Sequence, residues 1–320
     1  MSRVLLPLVP LYAAAVSAKN LAYNRGWARA QQLRWPVISV GNLSVGGSGK
    51  TPLVIRLVEL LREQEIAVDV LSRGYGRKST AVARVDPDGS ADDFGDEPLL
   101  IARATGIPVF VGGSRYAAGE LAERSASASR VHLLDDGFQH RQLARAVDIV
   151  VLHRSDFSVR LLPAGRLREG FSALRRAQIV AMREEDQDLE PEVRRRGCQL
   201  PIWWMSRRLE TPNLSSAIAF CAIAHPDEFA AELQRQGIAV AATRFWRDHH
   251  RYGEADISAL IALQRQHQAE AFLTTEKDLV RLSASQRQTL QAAAPLHTAK
   301  LVVRLRDEGA AIAQILGFLP

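Results

Sequence analysis

The chain has little cysteine. Its 320 residues include two cysteines, Cys198 and Cys221, which lie far apart without the spacing of a metal site. The sequence therefore indicates neither a disulfide framework nor a zinc centre, and we expect a reducing compartment. No internal repeat and no low-complexity tract is visible. A disordered chain is excluded as well, because 47% hydrophobic and 24% charged residues suffice to bury a full core.

The apolar run at the N-terminus is too short to cross a membrane by itself. Residues 4–16 are interrupted by Pro7 and Pro10, whereas a spanning helix needs about 20 apolar residues. Basic residues follow the run, namely Lys19, Arg25, Arg29 and Arg34. We therefore predict an interfacial, membrane-docking helix in the region 1–34. Two alternatives stay open, a buried core helix and a signal peptide, since residues 16–18 resemble a signal-peptidase site.

The net charge is +6, so acidic partners are expected. Nucleic acid, an anionic membrane surface and a phosphorylated substrate would all fit this charge. Composition does not choose among these partners. The length of the chain favours two domains over one.

The most informative stretch is residues 37–52. An apolar β-type run leads into a glycine-rich loop, and Lys50 and Thr51 open a helical pattern. This pattern is typical of a phosphate-binding loop, in which backbone N–H groups and a helix N-terminus face a polyphosphate. Lys50 is expected to bridge the β- and γ-phosphates, and Thr51 to supply a hydroxyl to Mg²⁺. The predicted nucleotide-binding residues are Ser44, Val45, Gly46, Gly47, Ser48, Gly49, Lys50 and Thr51, with Ser44 standing where a glycine is usual.

A second strand with an acidic end lies at residues 131–140. Asp135 and Asp136 follow its apolar part. In a nucleotide site, a carboxylate at this place holds Mg²⁺ directly or through water. Together with the phosphate loop upstream, the pattern predicts that Thr51, Asp135 and Asp136 handle Mg²⁺.

The order of elements predicts an α/β fold. A βαβ unit begins at the phosphate loop, and further buried-type strands follow it. Residues 201–210 resemble an extended connector, and a second α/β pattern begins at residue 217. We therefore predict a doubly wound P-loop NTPase-type core over 35–209 and a smaller α/β domain over 210–320. The charged segment 184–196 is expected to be a solvated helix.

Five further motifs sit at places where ligands often bind, although each has a plain structural explanation. Residues 72–77 could be a solvated turn, and the acids of 95–98 could be helix-dipole partners. Residues 161–170 could be a solvated loop, and the histidines of 246–252 could simply be solvated. Thr275 could cap a helix that starts in 275–278.

Taken in order, the motifs resemble those of the tetraacyldisaccharide 4'-kinase family over nearly the whole chain. They are Gly-Gly-Ser-Gly-Lys-Thr-Pro, Ser-Arg-Gly-Tyr-Gly-Arg, Gly-Asp-Glu-Pro, Asp-Asp-Gly-Phe-Gln-His, Pro-Ala-Gly-x-Leu-Arg-Glu, Asp-His-His and Thr-Glu-Lys-Asp. The resemblance implies a kinase of lipid A biosynthesis that moves the γ-phosphate of ATP to the 4'-hydroxyl of a tetraacyldisaccharide 1-phosphate. It also implies two domains, Mg²⁺, and peripheral docking at the cytoplasmic face of the inner membrane.

The resemblance also implies roles for single residues. Asp96 is expected to accept the proton of the sugar hydroxyl, with His249 or His250 as its partner, and Lys50 to act in catalysis. The lipid substrate is expected to contact Arg73, Tyr75, Arg77, Arg115, Arg168 and Glu169. No nucleic-acid partner is expected.

A P-loop GTPase or ATPase switch that acts on a protein partner is the alternative class. It would need a guanine-reading motif of the type Asn-Lys-x-Asp if it used GTP, and Thr-Glu-Lys-Asp does not replace that motif. A nucleic-acid-binding ATPase lacks support, because aromatic and basic residues are not interleaved.

Overall fold

A computed structural model describes residues 3–47, 49–196 and 198–319. Twelve strands form one mixed sheet in this part of the chain. They are β1 (Val37–Asn42), β2 (Val68–Ser72), β3 (Ala83–Arg84), β4 (Val109–Val111), β5 (Val131–Asp135), β6 (Val147–Val151), β7 (Ile179–Arg183), β8 (Ile202–Glu210), β9 (Ala217–Cys221), β10 (Val240–Phe245), β11 (Ala271–Thr275) and β12 (Leu296–Leu305).

Helices connect most of these strands. They are α1 (Val9–Asn24), α2 (Lys50–Glu63), α3 (Ala91–Phe94), α4 (Asp96–Thr105), α5 (Arg115–Ser125), α6 (Glu190–Arg195), α7 (Pro226–Arg235), α8 (Glu254–His267), α9 (Glu276–Arg281), α10 (Ala284–Ala293) and α11 (Glu308–Phe318). Short 3-10 helices occur at Arg3–Leu8, Arg154–Phe157, Phe171–Arg176 and Glu184–Leu189. The last of these and α6 replace the continuous helix predicted for 184–196.

The strand order is β10-β9-β11-β12-β8-β7-β6-β1-β5-β2-β4-β3. Strand β1 pairs in parallel with β5 on one side and β6 on the other. The chain passes from β1 to β2, β3 and β4 on one side, returns to β5, and then continues through β6, β7 and β8 on the other side. Alternate residues of the strands enter cores on opposite faces of the sheet: Val70 packs into one cluster and Leu71 into another. This arrangement is the predicted doubly wound α/β core, which places ligands at the carboxyl ends of the strands beside β1.

Strand β8 corrects the prediction of a connector at 201–210. It pairs in parallel with β7 and antiparallel with β12. It therefore joins the strands of the first half of the chain (β1–β8) and those of the second half (β9–β12) into one sheet. Trp203, Met205 and Leu209 are buried, which gives the segment an apolar face. The predicted domain boundary falls at the end of this strand, and the division into 35–209 and 210–320 stays a prediction.

The C-terminal end of the chain returns to the first half. Helix α11 packs against α2, and the buried guanidinium of Arg56 donates two hydrogen bonds to Glu308, at 2.8 and 2.7 Å. The Arg56 side chain is 6% exposed and the Glu308 side chain 26%, and Arg56 also pairs with Glu59, so the pair joins α11 to a charge cluster on α2. The last helix is therefore part of the core that supports the phosphate loop.

The N-terminal helix lies on the outside of the body. No residue of α1 is buried in the described structure, which contradicts the alternative of a core helix. The helical stretch Val4–Asn24 has 21 residues and a mean hydropathy of 1.5, so by length and composition alone it could cross a membrane. This differs from the expectation based on residues 4–16, because the helix continues into Asn24.

One side of α1 is fastened to the body by polar contacts. The Tyr12 hydroxyl donates to the carbonyl of Arg168 at 3.0 Å, and the Asn20 amide donates to Glu169 at 2.7 Å. Farther along, Arg141 donates to Asn24 at 2.9 Å. Large apolar side chains on the other side, including Leu11 and Leu21, are exposed.

Candidate active site

The phosphate loop joins β1 to α2. Gly46 and Gly49 have φ values of 111° and 86°, a region that glycine adopts without strain. A Cβ at Gly46 would lie 2.0 Å from Nη2 of Arg166, the mobile end of a long side chain, so the backbone angle and not space is what favours glycine here. Gly49 is the N-cap of α2, and the first-turn N–H groups of α2 therefore face the loop. Ser48, which was predicted to bind the nucleotide, lies outside the described residues.

Lys50 is held by groups on the neighbouring strand ends. Its Nζ lies 3.3 Å from Oδ1 of Asp136 and 3.1 Å from the amide oxygen of Asn42. Arg168 also donates to Asp136, at 2.9 Å. Burial raises the pKa of Asp136, but the charges of Lys50 and Arg168 outweigh burial and lower that pKa below its ordinary value. Asp136 is therefore an ionised carboxylate that partners two cations.

Asp135 is a buried carboxyl group to which no described residue donates a hydrogen bond. It pairs in register with Val40 of β1, next to the phosphate loop, and is 1% exposed. Neither carboxyl oxygen has a hydrogen-bond partner among the described residues. Burial and then the charges of Glu97 and Asp136 raise the pKa of Asp135 to about 8. A divalent cation would relieve this unfavourable charge.

These donors suit Mg²⁺. Thr51, Asp135 and Asp136 offer oxygen atoms at one edge of the sheet. No group of three or more His, Cys, Asp or Glu side chains in the described ranges is arranged to hold a metal by itself. Mg²⁺ fits such a sparse donor set, since it takes one or two carboxylates and fills its shell with phosphate oxygens and water.

Asp96 is the first residue of α4 and lies at the meeting point of the two halves. Its Oδ2 is 3.0 Å from Nδ1 of His249 and accepts a hydrogen bond from Nη2 of Arg281 at 2.6 Å. Burial by itself raises the pKa of Asp96. The hydrogen bond from His249 and the charges of Lys277 and Arg281 outweigh burial and hold that pKa far below its usual range. Asp96 is therefore ionised and fixed in orientation.

The structure distinguishes the two adjacent histidines. His249 reaches Asp96, whereas Nε2 of His250 lies 2.9 Å from Asp256 and the His250 ring stacks on Trp246. His249 has a φ of 61°, which is uncommon for a residue with a side chain. This backbone turns the His249 ring toward the first half.

Sequence reasoning missed two cations of α9. Arg281, whose side chain is 5% exposed, binds Asp96 and also donates to Asp278 at 3.0 Å. Nζ of Lys277 lies 3.0 Å from Glu97. Thr275 caps this helix, as the structural explanation of 275–278 predicted. The spacing of Asp278 and Arg281, three positions apart on a helix, was the available signal.

The residues predicted for the lipid substrate fall into two groups. Arg73 and Tyr75 are exposed on the loop after β2, and the Tyr75 ring meets the edge of the His249 ring at 5.6 Å. Arg77 is half-buried on the same loop, and burial lowers its pKa. Arg115 is buried at the start of α5, and its Nε has no partner among the described residues. Burial and then the charge of Arg73 lower the pKa of Arg115 to about 10.

Arg168 and Glu169 have protein partners. Arg168 binds Asp136, and Glu169 is 5% exposed with hydrogen bonds from Arg176 at 2.9 and 3.0 Å. Glu169 also accepts the bond from Asn20 of α1. In this structure the pair connects the metal-site strand end to the N-terminal helix. A direct contact of either residue with the substrate stays a prediction.

A cavity of about 500 Å³ adjoins the phosphate loop. Gly47, Lys50 and Thr51 line it from the first half. The second half contributes apolar and charged residues to the lining of the same cavity, among them Ile223, Phe229, Leu301, His225 and Lys277. The volume is in the range of small-molecule sites and continues directly from the loop.

Comparison with known proteins identifies the family. The model of the Tetraacyldisaccharide-1-P 4'-kinase family matches residues 1–319. The tetraacyldisaccharide 4'-kinase of Koribacter versatilis is 42% identical over 97% of each chain, and that of Geobacter metallireducens is 39% identical over 85% of this chain and 86% of its own. The crystal structure of LpxK from Aquifex aeolicus in complex with ATP is 31% identical, covers 99% of each chain and has a TM-score of 0.79.

These relatives confirm the predicted fold class and function and do not favour the switch protein. The chain therefore belongs to the tetraacyldisaccharide 4'-kinase family, and it is an ATP-dependent phosphotransferase of lipid A biosynthesis that phosphorylates the 4'-hydroxyl of tetraacyldisaccharide 1-phosphate.

Proposed function

We propose that Asp96 accepts the proton of the 4'-hydroxyl while Lys50 holds the phosphoryl group that moves. The observation that carries this proposal is the position of the Asp96 carboxylate. It is buried between His249 and Arg281, and its neighbour Glu97 lines the same cavity as the phosphate loop. An ionised, oriented carboxylate beside a polyphosphate site suits a hydroxyl that must attack phosphorus.

ATP is the phosphate donor, and its phosphates lie in the loop. The backbone N–H groups of 44–47 and 49–51 converge on them, and Lys50 bridges the β- and γ-phosphates. The base and ribose extend into the cavity of about 500 Å³, against the apolar wall formed by Ile223, Phe229 and Leu301.

Thr51, Asp135 and Asp136 are the residues that would hold Mg²⁺. The unpartnered oxygens of buried Asp135 support this assignment, because a carboxylate in such a position is costly without a cation. When bound, Mg²⁺ neutralises charge on the β- and γ-phosphates. Lys50 would then exchange Asp136 for a phosphate oxygen.

The transfer itself needs positioning and charge neutralisation more than a strong base. The 4'-oxygen forms a bond to the γ-phosphorus, the bond from that phosphorus to the β–γ bridging oxygen breaks, and ADP leaves. The hydroxyl proton passes to Asp96 as the new bond forms. His249 and Arg281 keep Asp96 ionised and aimed, which compensates for its low basicity.

The 1-phosphate of the acceptor is held by arginines. Arg73, Arg77 and Arg115 lie near the loop after β2 and the start of α5, and Arg115 has a buried N–H to offer. Guanidinium groups bind phosphate through paired N–H donors. Tyr75, next to His249, would line the path of the sugar toward Asp96.

Helix α1 docks on an anionic membrane surface at the cytoplasmic face of the inner membrane. Its polar side is fastened to the body through Tyr12, Asn20 and Asn24, so these residues are not available to lipid tails. The opposite side exposes Leu11 and Leu21. A helix with one side on the protein and one apolar side free fits the interface better than a complete crossing, and the acceptor is a lipid.

A transfer assay tests the assignment of Asp96. The enzyme, γ-labelled ATP and a tetraacyldisaccharide 1-phosphate should give a product with the label on the 4'-oxygen. Asp96→Ala should remove the transfer while ATP still binds, and Asp88→Ala, at an exposed aspartate on the same connection, should transfer at the normal rate. Normal transfer by Asp96→Ala would refute the role.

A further inference from the structure

Lys277 is a cation in the cavity beside the phosphate loop, and it takes no part in the transfer proposed for Asp96 and Lys50. It follows β11 as the second residue of α9, in the second half of the chain. Its side chain is 21% exposed and lines the cavity together with Lys50 and Thr51. A lysine that lines the same cavity as the phosphate loop is placed to bind phosphate.

Lys277 is near both carboxylates to which the proposed reaction gives a role. Its ammonium group bonds Glu97, the neighbour of Asp96 on α4, and it acts electrostatically on both Asp96 and Asp135. In the proposed reaction Asp96 receives the proton of the acceptor hydroxyl and Asp135 holds the metal. The phosphoryl group would then move in the region of these two carboxylates, in the cavity that Lys277 lines.

The charge pattern shows what a nucleotide would change. Two lysines are paired with carboxylates of the first half: Lys50 with Asp136 at 3.3 Å and Lys277 with Glu97 at 3.0 Å. The Glu97 side chain is 30% exposed, so its pair is partly solvated and weak enough to exchange. A triphosphate brings several negative charges into this space and offers both lysines better partners.

We propose that Lys277 binds the γ-phosphate from the side opposite Lys50 and stabilises the charge on the phosphoryl group during transfer. This inference rests on the proposed role of the phosphate loop. Because Lys277 comes from the second half, it reaches the phosphate only while the two halves are together. The contact therefore links the closed arrangement to the presence of a triphosphate.

Calorimetric titration with Mg²⁺ and two nucleotides tests the proposal on the full chain. The nucleotides are ADP and a β,γ-imido analogue of ATP, which cannot transfer its last phosphate. Lys277→Met should lower the affinity for the analogue by about 10-fold or more, which corresponds to about 1.4 kcal/mol, and should change the affinity for ADP by no more than about 2-fold. Lys300→Met removes an exposed lysine of β12 in the same half and should change neither affinity.

Three further variants separate the explanations. Lys277→Arg keeps the charge and should keep the preference for the triphosphate. Glu97→Gln breaks the salt bridge but leaves Lys277 charged, so the preference should persist. Two results would overturn the proposal and show that Lys277 only holds the two halves together. One is a loss of the preference for the triphosphate in Glu97→Gln as large as that in Lys277→Met. The other is an equal loss of affinity for both nucleotides in Lys277→Met. Lys50→Met tests the phosphate loop separately. Unchanged nucleotide affinity in this variant would refute the assignment of the loop and not the contact of Lys277.

Discussion

Nδ1 of His249 lies 3.0 Å from Oδ2 of Asp96, and the two residues come from opposite halves of the chain. Asp96 begins α4 in the first half, and His249 lies between β10 and α8 in the second. Arg281 of α9 holds the same carboxyl oxygen at 2.6 Å. The proposed catalytic pair is therefore complete only while the second half lies against the first.

The first prediction concerns this pair. Asp96→Ala should lower kcat by about 10²- to 10⁴-fold and leave ATP affinity nearly unchanged, because the carboxylate acts on the acceptor. His249→Ala should act in the same direction. Steady-state kinetics of the double variant should resemble Asp96→Ala alone, since a partner adds nothing once the carboxylate is gone.

His250→Ala is the matched control for that experiment. His250 is bonded to Asp256 and stacked on Trp246, so its removal should leave kcat close to that of the unaltered enzyme. Fully additive losses for Asp96→Ala and His249→Ala would show that the two residues act independently.

The second prediction concerns the phosphate loop. Lys50→Ala removes a cation from the transferring phosphate, and turnover should fall by orders of magnitude. Stopped assays of phosphate transfer measure this, with Lys300→Ala, at an exposed lysine of β12, as the control. Near-normal turnover of Lys50→Ala would mean that the loop does not hold the reacting phosphates.

The third prediction concerns the carboxylates at the end of β5. Asp135 has a pKa of about 8 in the folded protein, above its ordinary value near 4, because it is buried. The unfolded chain releases this proton from about pH 4 upward and the folded chain does not, so Asp135 makes the metal-free protein less stable as pH rises through that window. Asp135→Asn should therefore melt at a higher temperature than the unaltered protein at pH 8 in EDTA.

The same substitution should remove a metal ligand. Mg²⁺-dependent activity of Asp135→Asn should be lost, and Asp136→Asn should also lose activity while unfolding cooperatively. Thermal melts recorded from pH 5 to 9 and assays over a Mg²⁺ titration measure both effects. Equal melting temperatures at pH 8, or activity at ordinary Mg²⁺, would contradict the assignment.

The fourth prediction concerns the N-terminus. Deleting residues 1–16 should release the protein from anionic vesicles at physiological salt, because the remaining basic charge is screened. Leu11→Glu, a single change on the exposed side of α1, should act in the same direction, whereas Tyr12→Phe on the fastened side should not. Vesicle flotation measures the bound fraction, and unchanged binding of the deletion would place the docking surface elsewhere.

The phosphate loop shows what can be predicted along the chain. Its glycines, Lys50 and the start of α2 are neighbours in sequence, and the backbone angles at Gly46 and Gly49 are local properties. The acidic end of β5 was predicted for a similar reason, because an apolar run followed directly by acidic residues shows in the sequence where the strand ends. The fold class followed from the alternation of such strands and helices.

The mistakes arose where long-range contacts decide. Residues 202–210 form a strand because β7 and β12 are there to pair with them, although the segment is rich in charge. Helix α11 was missed because its partner, α2, is far away in sequence. The substrate contact of Glu169, which its motif predicted, stays a prediction, and only the structure places Arg176 and Asn20 against this carboxylate.

The sequence by itself determined the family and the reaction, and it predicted the nucleotide-binding loop, because each depends on short motifs whose residues act together locally. Only the tertiary structure decided that His249 and not His250 meets Asp96, and that Arg281, 185 positions away, holds the same carboxylate. The physical reason is that an ion pair between two halves depends on how a whole sheet brings strand ends together, and no spacing along the chain encodes that distance.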